Sequence, residues 1–423
     1  MVNGAFKRDW CKSGRVGVSD VFSSVNKALT KRASYVVLLI LALSGFVTSF
    51  GAHIVATNLP SYAEAEHIGP FMIGLLIGVY DFAELFGKPA AGFIADRHGM
   101  KRTLLAGLVI FVIGSLLYLV LPSGLLLLVR FVQGLGAAAL STVSITLVAR
   151  YFSAGRGKAF GIYNAVKGAG YVIAPALGGF LAQHYGFAMI FVLSSALAIV
   201  ALLVSLFLPN DPARREALED DDDISLKQFF LIFKDPRLLP VYAVILVNMF
   251  LVGIMFGFLP VYLHSIGYTP VQSGTAVSAV TLSYLLVQPL AGYLADRFDA
   301  RLTVLSGLVV AALATIAVVF SSGPLLIAIA VIAGLGIGTV WTNSDALVGQ
   351  LANESKLGAS MGAAQSFKEL GDMVGPLSVG LLTQFFGVRA GFVTCGALAL
   401  LLLIPFAISQ RTPMIPTPRS DKS

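Results

Sequence analysis

Long apolar stretches alternate with short polar breaks along almost the whole chain. A bilayer core about 30 Å thick needs roughly 20 apolar residues for each helical span. Twelve stretches meet that length, near residues 33–58, 71–95, 103–121, 124–149, 159–183, 187–208, 238–263, 272–295, 303–320, 324–350, 361–386 and 389–409. Most of the breaks are so short that they leave room only for antiparallel helical hairpins. The pattern therefore predicts an all-α membrane protein with twelve transmembrane helices.

Composition supports a membrane protein and excludes several other classes. Of the 423 residues, 57% are hydrophobic and 12% are charged, whereas soluble domains carry about 25% charged residues. The two cysteines, Cys11 and Cys395, and five scattered histidines argue against a disulfide framework or a metal site. No phosphate-binding loop of the form G-x-x-x-x-G-K-[ST] occurs in the sequence. We therefore expect no cofactor and an ion gradient, of protons or of sodium, as the energy source.

The positive charges predict how the chain lies in the membrane. The net charge is +7, and 24 of the 29 lysines and arginines fall in segments that all lie on one side if both termini share that side. Positively charged residues stay on the cytoplasmic side of a membrane. We therefore expect a protein of the inner membrane with both termini in the cytoplasm. This location accounts for the positive charge without a nucleic-acid partner.

Segment 209–237 divides the chain into two halves. It begins with Pro209 and Asn210, contains an acidic run, and continues into a Phe-rich stretch that is typical of an amphipathic helix on the membrane surface. The predicted organisation is a cytoplasmic segment 1–32, a six-helix bundle 33–208, the linker 209–237, a second bundle 238–409 and a cytoplasmic tail 410–423.

The two halves repeat each other in sequence. At an offset of 200, Gly92-Phe-Ile-Ala-Asp96-Arg97 aligns with Gly292-Tyr-Leu-Ala-Asp296-Arg297, and Gly134-Leu-Gly136 aligns with Gly334-Leu-Gly336. One residue further on, Gly161, Lys167, Gly170, Pro175 and Gly179 align with Gly362, Lys368, Gly371, Pro376 and Gly380. Two parallel repeats imply a pseudo-two-fold axis along the membrane normal, with the substrate site between the halves near mid-membrane.

The loop after the second span resembles the signature of the major facilitator superfamily of secondary transporters. The residues that carry this resemblance are Gly92, Asp96, Arg97, Gly99, Lys101 and Arg102. In the second half, Asp296 and Arg297 repeat the pattern, but Asp299 stands where the first copy has Gly99. The resemblance implies that Asp96 meets a helix N-terminus and a partner arginine, and latches the cytoplasmic ends of the halves together.

Two further motifs resemble those of drug:proton antiporters with twelve spans. Arg130-Phe-Val-Gln133-Gly134-Leu-Gly136 is similar to the span-four motif of proton-coupled members. The stretch with Gly170, Pro175, Gly178 and Gly179 is similar to the span-five antiporter motif, with Ala174 in place of the usual glycine. Close packing of transmembrane helices is the alternative explanation for any single glycine.

An ionisable residue inside the membrane indicates a structural or functional role, because a charged side chain there costs several kcal/mol unless it is paired or faces water. Spans 3, 6, 9 and 12 contain none of Asp, Glu, Lys or Arg apart from Arg389 at the outer end of span 12, and are expected to be the outer helices. Spans 1, 2, 4, 5, 10 and 11 contain Asp81, Glu84, Asp345, Glu369, Asp372, Lys88, Arg130, Lys167 and Lys368, together with His53.

Four of these residues are candidates for proton coupling. Asp81 has no basic neighbour on its own helix and is the expected proton carrier, with a standing salt bridge to Arg130 as the alternative. Arg130 cannot release its proton, so it is expected to hold a fixed charge beside an acid. Glu84 is expected to form a structural i, i+4 ion pair with Lys88 on the same helix. His53 is either an ordinary hydrogen-bonded histidine or a proton relay.

Lys167 and Lys368 occupy equivalent positions in spans five and eleven. Asp372, at i+4, is expected to neutralise Lys368, whereas Lys167 has no local acid and suits an anionic or zwitterionic substrate. The alternative for Lys167 is an ion pair with Asp345 that gates the cavity. The remaining members of the predicted binding set are Tyr163, Asn164, Tyr284, Trp341, Asn343, Gln365 and Glu369.

These observations predict a transporter rather than an enzyme. The preferred function is proton-coupled antiport that exports an anionic or zwitterionic organic molecule, by a monomer whose partners are lipid, substrate and protons. A proton-coupled symporter that imports an organic anion fits the same halves and charges. A membrane receptor or a lipid scramblase is the remote alternative from another class.

Overall fold

The computed structural model describes residues 18–65, 68–152, 156–209, 235–352 and 357–409. Within these ranges the regular structure is helical and forms twelve long helices. They are α1 (Val18–Ala65), α2 (Pro70–His98), α3 (Met100–Val120), α4 (Leu126–Tyr151), α5 (Arg156–Tyr185), α6 (Ala188–Ser205), α7 (Leu239–Ser265), α8 (Pro270–Arg297), α9 (Ala300–Val318), α10 (Gly323–Leu351), α11 (Leu357–Phe386) and α12 (Val388–Ser409). A π-helical segment, Ile254–Phe258, interrupts α7.

The helices match the predicted spans. Eleven of those in the described ranges are long and apolar enough to cross a membrane, and in α1 the spanning part is Tyr35–Leu59. The twelfth, α11, has 30 residues but is less apolar because it carries Lys368, Glu369 and Asp372. The amphipathic helix predicted after the acidic run, most of the N-terminal segment and the C-terminal tail lie outside the described residues.

The two halves pack in the same way, which confirms the repeat. In the first half, Gly134 of α4 lies against the carbonyl of Tyr80 in α2, and in the second, Gly334 of α10 lies against the carbonyl of Val280 in α8. Both pairs keep the offset of 200 residues. At each position an added Cβ atom would overlap the neighbouring helix, so glycine permits the close approach.

The four spans expected to be outer helices, α3, α6, α9 and α12, lie outside, although α12 carries Arg389 in its first turn. Helix α3 packs on α4 and α6, and α9 packs on α10 and α12. The main contacts between the halves are made by α2 with α11 and by α5 with α8. Consequently, the helices that carry ionisable residues meet along the axis of the molecule.

The helices alternate in direction, so the loops gather at two ends. We call the end with the α2–α3 and α8–α9 loops the basic end, and the other the opposite end. At the opposite end the halves touch through their backbones, with Gly74 against the carbonyl of Pro376 and Gly274 against that of Pro175. Hydrogen bonds reinforce this seam, since Ser278 Oγ accepts from Ala176 N at 3.0 Å.

Toward the basic end the halves lie apart. A Cβ atom added at Gly92, Gly161 or Gly362 would meet no other atom within 4 Å. These glycines lie on α2, α5 and α11, the same helices that touch at the opposite end. The structure is therefore closed at the opposite end and open at the basic end.

Candidate functional site

The space between the halves is a cavity with a volume of ≈ 740 Å³. Side chains from both halves line it, and the ionisable ones include both signs of charge. They are Asp81, Glu84, Glu369, Asp372, Lys88, Arg130, Lys167, Lys368 and His53. All of them were expected from the sequence to lie inside the membrane.

Lys88 joins the two halves. Its Nζ lies 2.5 Å from Glu84 Oε2 on its own helix and 2.5 Å from Glu369 Oε1 on α11. The first contact confirms the predicted i, i+4 pair. The second was not predicted, because the sequence does not show which residue of the other half lies opposite Lys88.

Arg130 does not pair with Asp81, so that alternative was wrong. The guanidinium group is buried, donates from Nε to the carbonyl of Leu76 at 3.0 Å and from Nη1 to Gln133 Oε1 at 3.2 Å. Its carbon Cζ also lies 4.5 Å from the centroid of the Tyr80 ring. These neutral acceptors hold Arg130 against α2 as a fixed positive charge.

Asp81 and Asp372 face the cavity from opposite halves. Neither carboxylate forms an ion pair within the described part of the chain. Both residues border the same cavity. The cavity thus contains two carboxylates that repel each other when both are ionised.

Lys368 pairs with Asp345 instead of Asp372, at a distance of 2.6 Å. Two predictions were therefore wrong, namely neutralisation of Lys368 by Asp372 and the gate formed by Lys167 with Asp345. The ammonium group of Lys368 also lies 4.5 Å above the ring of Trp341. The side chain of Lys368 is only 4% exposed, so it needs a close counter-ion, and a facing helix provides one where i+4 spacing does not.

Lys167 is left with no carboxylate partner among the described residues. Its Nζ lies 6.0 Å from the centroid of the Tyr171 ring and borders the cavity. The equivalent lysines therefore differ, since Lys368 is neutralised and Lys167 is not. This result agrees with the expectation that Lys167 is free to meet an anionic group.

Four of the predicted uncharged binding residues line the cavity: Asn164, Tyr284, Trp341 and Gln365. Tyr163 and Asn343 do not, and both predictions were wrong. Tyr163 is 1% exposed and its hydroxyl lies 2.8 Å from Ser144 Oγ inside the first bundle. Asn343 is fully buried within the second bundle.

His53 lies on the cavity wall and is hydrogen-bonded. Its Nδ1 is 3.1 Å from the carbonyl oxygen of Ser49, one turn earlier in α1. Its ring packs edge-on against Tyr171 with centroids 4.4 Å apart. The geometry is that of an ordinary hydrogen-bonded histidine, the first of the two interpretations.

The signature loop at the basic end is organised within its own half. Asp96 pairs with Arg150 of α4 at 3.5 Å, and Lys101 donates to the carbonyls of Leu206 and Leu208 after α6, at 2.8 and 2.6 Å. Arg102 and Asp296 are exposed, and Arg297 donates to Tyr293 of its own helix. The expected latch between the halves is absent among the described residues, because the halves lie apart at this end.

The glycines of the span-five motif serve helix packing. Gly170 lies against Ser49 of α1, Gly178 against Asn58 of α1, and Gly179 against the carbonyl of Pro270 in α8. The motif thus joins α5 to α1 in its own half and to α8 in the other. Close approach of helices explains each glycine.

Comparison with known proteins identifies the family. The family model of the Major Facilitator Superfamily matches residues 41–275 and 263–423. The chain belongs to the major facilitator superfamily. It is a multi-pass membrane transporter and not an enzyme.

Curated relatives of this facilitator include multidrug resistance proteins. Multidrug resistance protein 2 of Bacillus subtilis is 24% identical over 383 residues, which cover 87% of this chain and 94% of the relative. Multidrug resistance protein MdtG of Klebsiella pneumoniae is 24% identical over 90% of this chain and 95% of the relative. The riboflavin transporter RibZ of Clostridioides difficile is 25% identical over 73% of this chain and 79% of the relative.

Solved structures show the same fold. The nucleoside transporter NupG superposes with a TM-score of 0.76 and 16% identity, covering 89% of this chain and 100% of that one. A bacterial homologue of the lysosomal transporter Spinster, in an inward-facing and occupied conformation, gives a TM-score of 0.77 with 18% identity, covering 89% and 97%.

Several cavity residues of this facilitator were missed from the sequence. Tyr171, Phe256 and Gln288 border the cavity but were not among the predicted binding residues. Phe256 belongs to the π-helical segment of α7. The apolar pattern of the sequence does not predict a π-helical segment, so it could not show that the side chain of Phe256 borders the cavity.

Proposed function

We propose that the chain is a proton-coupled antiporter that exports an anionic or zwitterionic organic molecule by alternating access. The observation that carries this proposal is the pair Asp81 and Asp372, which face one cavity from opposite halves without ion-pair partners in the described ranges. Acids inside a membrane mark proton or substrate pathways. An ion gradient supplies the energy, and no cofactor takes part.

Competition between protons and substrate for Asp81 and Asp372 would couple the inward flow of protons to the outward flow of substrate. With the cavity open to the cytoplasm, the carboxylates exchange protons for the ammonium group of a zwitterion, and Lys167 holds the anionic group. After the halves rock, protons from outside displace the ammonium group and the substrate leaves. Because protons and substrate occupy the same acids in turn, each step of transport requires an exchange.

Symport is the second candidate, and Lys167 is the observation that favours it. A purely anionic substrate beside Asp81 and Asp372 binds more tightly when both acids are protonated, because the repulsion is then removed. Protons and the anion would then travel together into the cell. The charge of the substrate thus decides between exchange and co-transport in the same cavity.

The relatives favour export. Two of them are multidrug resistance proteins of bacteria, and a third is a riboflavin transporter. These names support an organic substrate and outward transport for this chain.

Inverted membrane vesicles, whose cytoplasmic face points outward, provide the test. We expect radiolabelled 4-(aminomethyl)benzoate, a zwitterion, to accumulate when the lumen is acid, and a protonophore to abolish the accumulation. Vesicles that carry the Asp81→Asn, Asp372→Asn double variant are the matched control. Accumulation driven by an alkaline lumen would show symport and reject the proposal.

We also propose that the basic end faces the cytoplasm, that the protein lies in the inner membrane with both termini inside, and that it works as a monomer without nucleic acid. The excess of lysine and arginine in the segments at that end supports this orientation. Cys395 is buried, so an impermeant maleimide should label only Cys11, in inverted vesicles but not in intact cells. Labelling in intact cells would reverse the orientation.

A further inference from the structure

Five aromatic rings form a continuous series across the cavity from one half to the other. In spatial order they are Tyr171, His53, Phe256, Tyr284 and Trp341. Successive ring centroids lie 4.4, 6.4, 6.0 and 5.6 Å apart. They come from α5, α1, α7, α8 and α10, and we call them the aromatic wall. All five residues border the cavity.

The rings of the aromatic wall leave surface for a guest. Successive rings are inclined at 89°, 70°, 75° and 85°, so they meet edge to face and do not form a closed stack. An edge-to-face contact occupies only one face of one ring. Aromatic side chains in this arrangement retain faces on which a planar ligand can stack.

A lysine lies at each end of the aromatic wall, but the two ends differ in charge. At the Trp341 end, Lys368 is buried and paired with Asp345 at 2.6 Å. At the Tyr171 end, Lys167 lies 6.0 Å from the ring and has no carboxylate partner among the described residues. An anionic substituent is therefore attracted to the Tyr171 end.

The acidic side chains of the cavity repel a ligand carboxylate at other positions along the aromatic wall. Asp372 borders the same cavity as Tyr171 and Tyr284, and its carboxylate has no ion-pair partner among the described residues. Glu84 and Glu369 share Lys88, so that group retains one negative charge in excess. Lys167 is thus the cation beside which a ligand carboxylate gains a counter-ion, and Asp372 is the acid beside which a ligand amine gains one.

We propose that the aromatic wall binds a planar aromatic substrate whose carboxylate lies beside Lys167 and whose amine, where it has one, lies beside Asp372. This assignment rests on the proposed transport function and gives it a substrate class, an aromatic zwitterion or an aromatic carboxylate. Tyr284 contributes ring surface, and Lys167 sets the direction in which the ligand lies.

The chain contains its own reporter for this site. It has two tryptophans, Trp10 and Trp341, so the Trp10→Phe variant leaves Trp341 of the aromatic wall as the source of indole fluorescence. In lipid nanodiscs we would titrate this full-length chain with 4-nitrobenzoate and with 4-nitrobenzamide. The two have the same quenching ring and differ in the carboxylate.

We expect saturable quenching by both ligands, with 4-nitrobenzoate bound about tenfold more tightly than the amide. Lys167→Gln should remove this preference without weakening the amide, whereas Lys167→Arg should keep it. Tyr284→Leu should weaken both ligands about three- to tenfold, and Tyr284→Phe, which keeps the ring, should weaken them less.

Equal affinity for the carboxylate and the amide in the Trp10→Phe chain would overturn the role of Lys167. A preference that survives Lys167→Gln would overturn it too. Absence of saturable quenching by either ligand would overturn the aromatic wall as a binding surface. The titration uses no pH gradient, so it tests binding separately from transport. If vesicles show no antiport while the preference for 4-nitrobenzoate is intact, proton-coupled export is rejected and the aromatic wall remains supported as a binding surface.

Discussion

The ammonium nitrogen of Lys88 in α2 lies 2.5 Å from Oε1 of Glu369 in α11, so one ion pair joins the two halves inside the cavity. The same nitrogen lies 2.5 Å from Glu84. A single cation therefore compensates two carboxylates that belong to different halves. If the cation is lost, attraction between the halves becomes repulsion.

Lys88→Ala should destabilise the protein more than its exposure suggests. The three side chains are 15–28% exposed, so we expect a loss of about 1–3 kcal/mol in the free energy of unfolding, between the values typical of surface and buried pairs. Titration with sodium dodecyl sulfate, followed by circular dichroism, measures this loss.

The double variant Lys88→Ala, Glu369→Gln is the matched control. It removes the repulsion that the single variant creates, so we expect it to recover part of the lost stability. A double variant as unstable as the sum of both single variants would show that the charges of Lys88 and Glu369 do not interact.

Asp81→Asn should uncouple transport from the proton gradient. Asparagine keeps the size and hydrogen-bonding capacity of the side chain but cannot carry a proton. We expect the rate of accumulation of 4-(aminomethyl)benzoate in acid-lumen vesicles to fall about a hundredfold or more, the lower end of the range for loss of a proton-transfer group. Exchange of labelled for unlabelled probe without a gradient should persist, because the cavity is still present. If accumulation survives in Asp81→Asn and fails only in Asp372→Asn, then Asp372 is the carrier.

Gly274→Ala should favour the conformation that is open at the opposite end. A Cβ atom there would overlap the carbonyl of Pro175 across the seam, and backbone cannot move aside as a flexible side chain can. Spin labels at Tyr185 and Phe385, both exposed at this end and in different halves, should move apart in double electron–electron resonance.

Gly349→Ala in α10 is the control for this substitution, because an added Cβ atom there would meet nothing within 4 Å. It should leave the distance between the labels unchanged. An unchanged distance in Gly274→Ala as well would show that the seam tolerates the added atom.

Gly99→Asp and Asp299→Gly exchange the residues that distinguish the two copies of the signature loop. Gly99 has φ = 97°, where side chains are strained, whereas Asp299 is extended at φ = −171° and its carboxylate accepts from Arg301 N at 2.8 Å. We expect Gly99→Asp to cost about 1–3 kcal/mol and Asp299→Gly only a few tenths of a kcal/mol. Equal losses in the same detergent titration would contradict the role of the backbone angle.

The spans and the repeat could be predicted because they depend on patterns within one helix or on fixed offsets. The apolar lengths located all twelve helices, and the alignment of Gly134 with Gly334 was matched by equivalent contacts of α4 and α10. The four outer helices were also predicted, although absence of charge alone does not decide the position of a span. Helix α7 carries no Asp, Glu, Lys or Arg either, and Phe256 of α7 borders the cavity.

The partners within the site could not be predicted, because they depend on how each helix is rotated and which helix faces it. Asp372 lies one turn from Lys368 in sequence, yet the nearer carboxylate belongs to Asp345 on another helix. Tyr163 and Lys167 are also one turn apart, and only Lys167 borders the cavity. A small rotation of α5 separates these outcomes, and no sequence pattern records it.

The seam at the opposite end has a consequence for inhibition. Gly74 and Gly274 touch backbone carbonyls, so neither position has a side chain that a point mutation could trim to evade a bound compound. Any substitution at these two glycines adds atoms and disturbs the closure itself. A molecule wedged into the seam from outside would therefore act on a surface where resistance is costly to the transporter, unlike one that competes for the cavity.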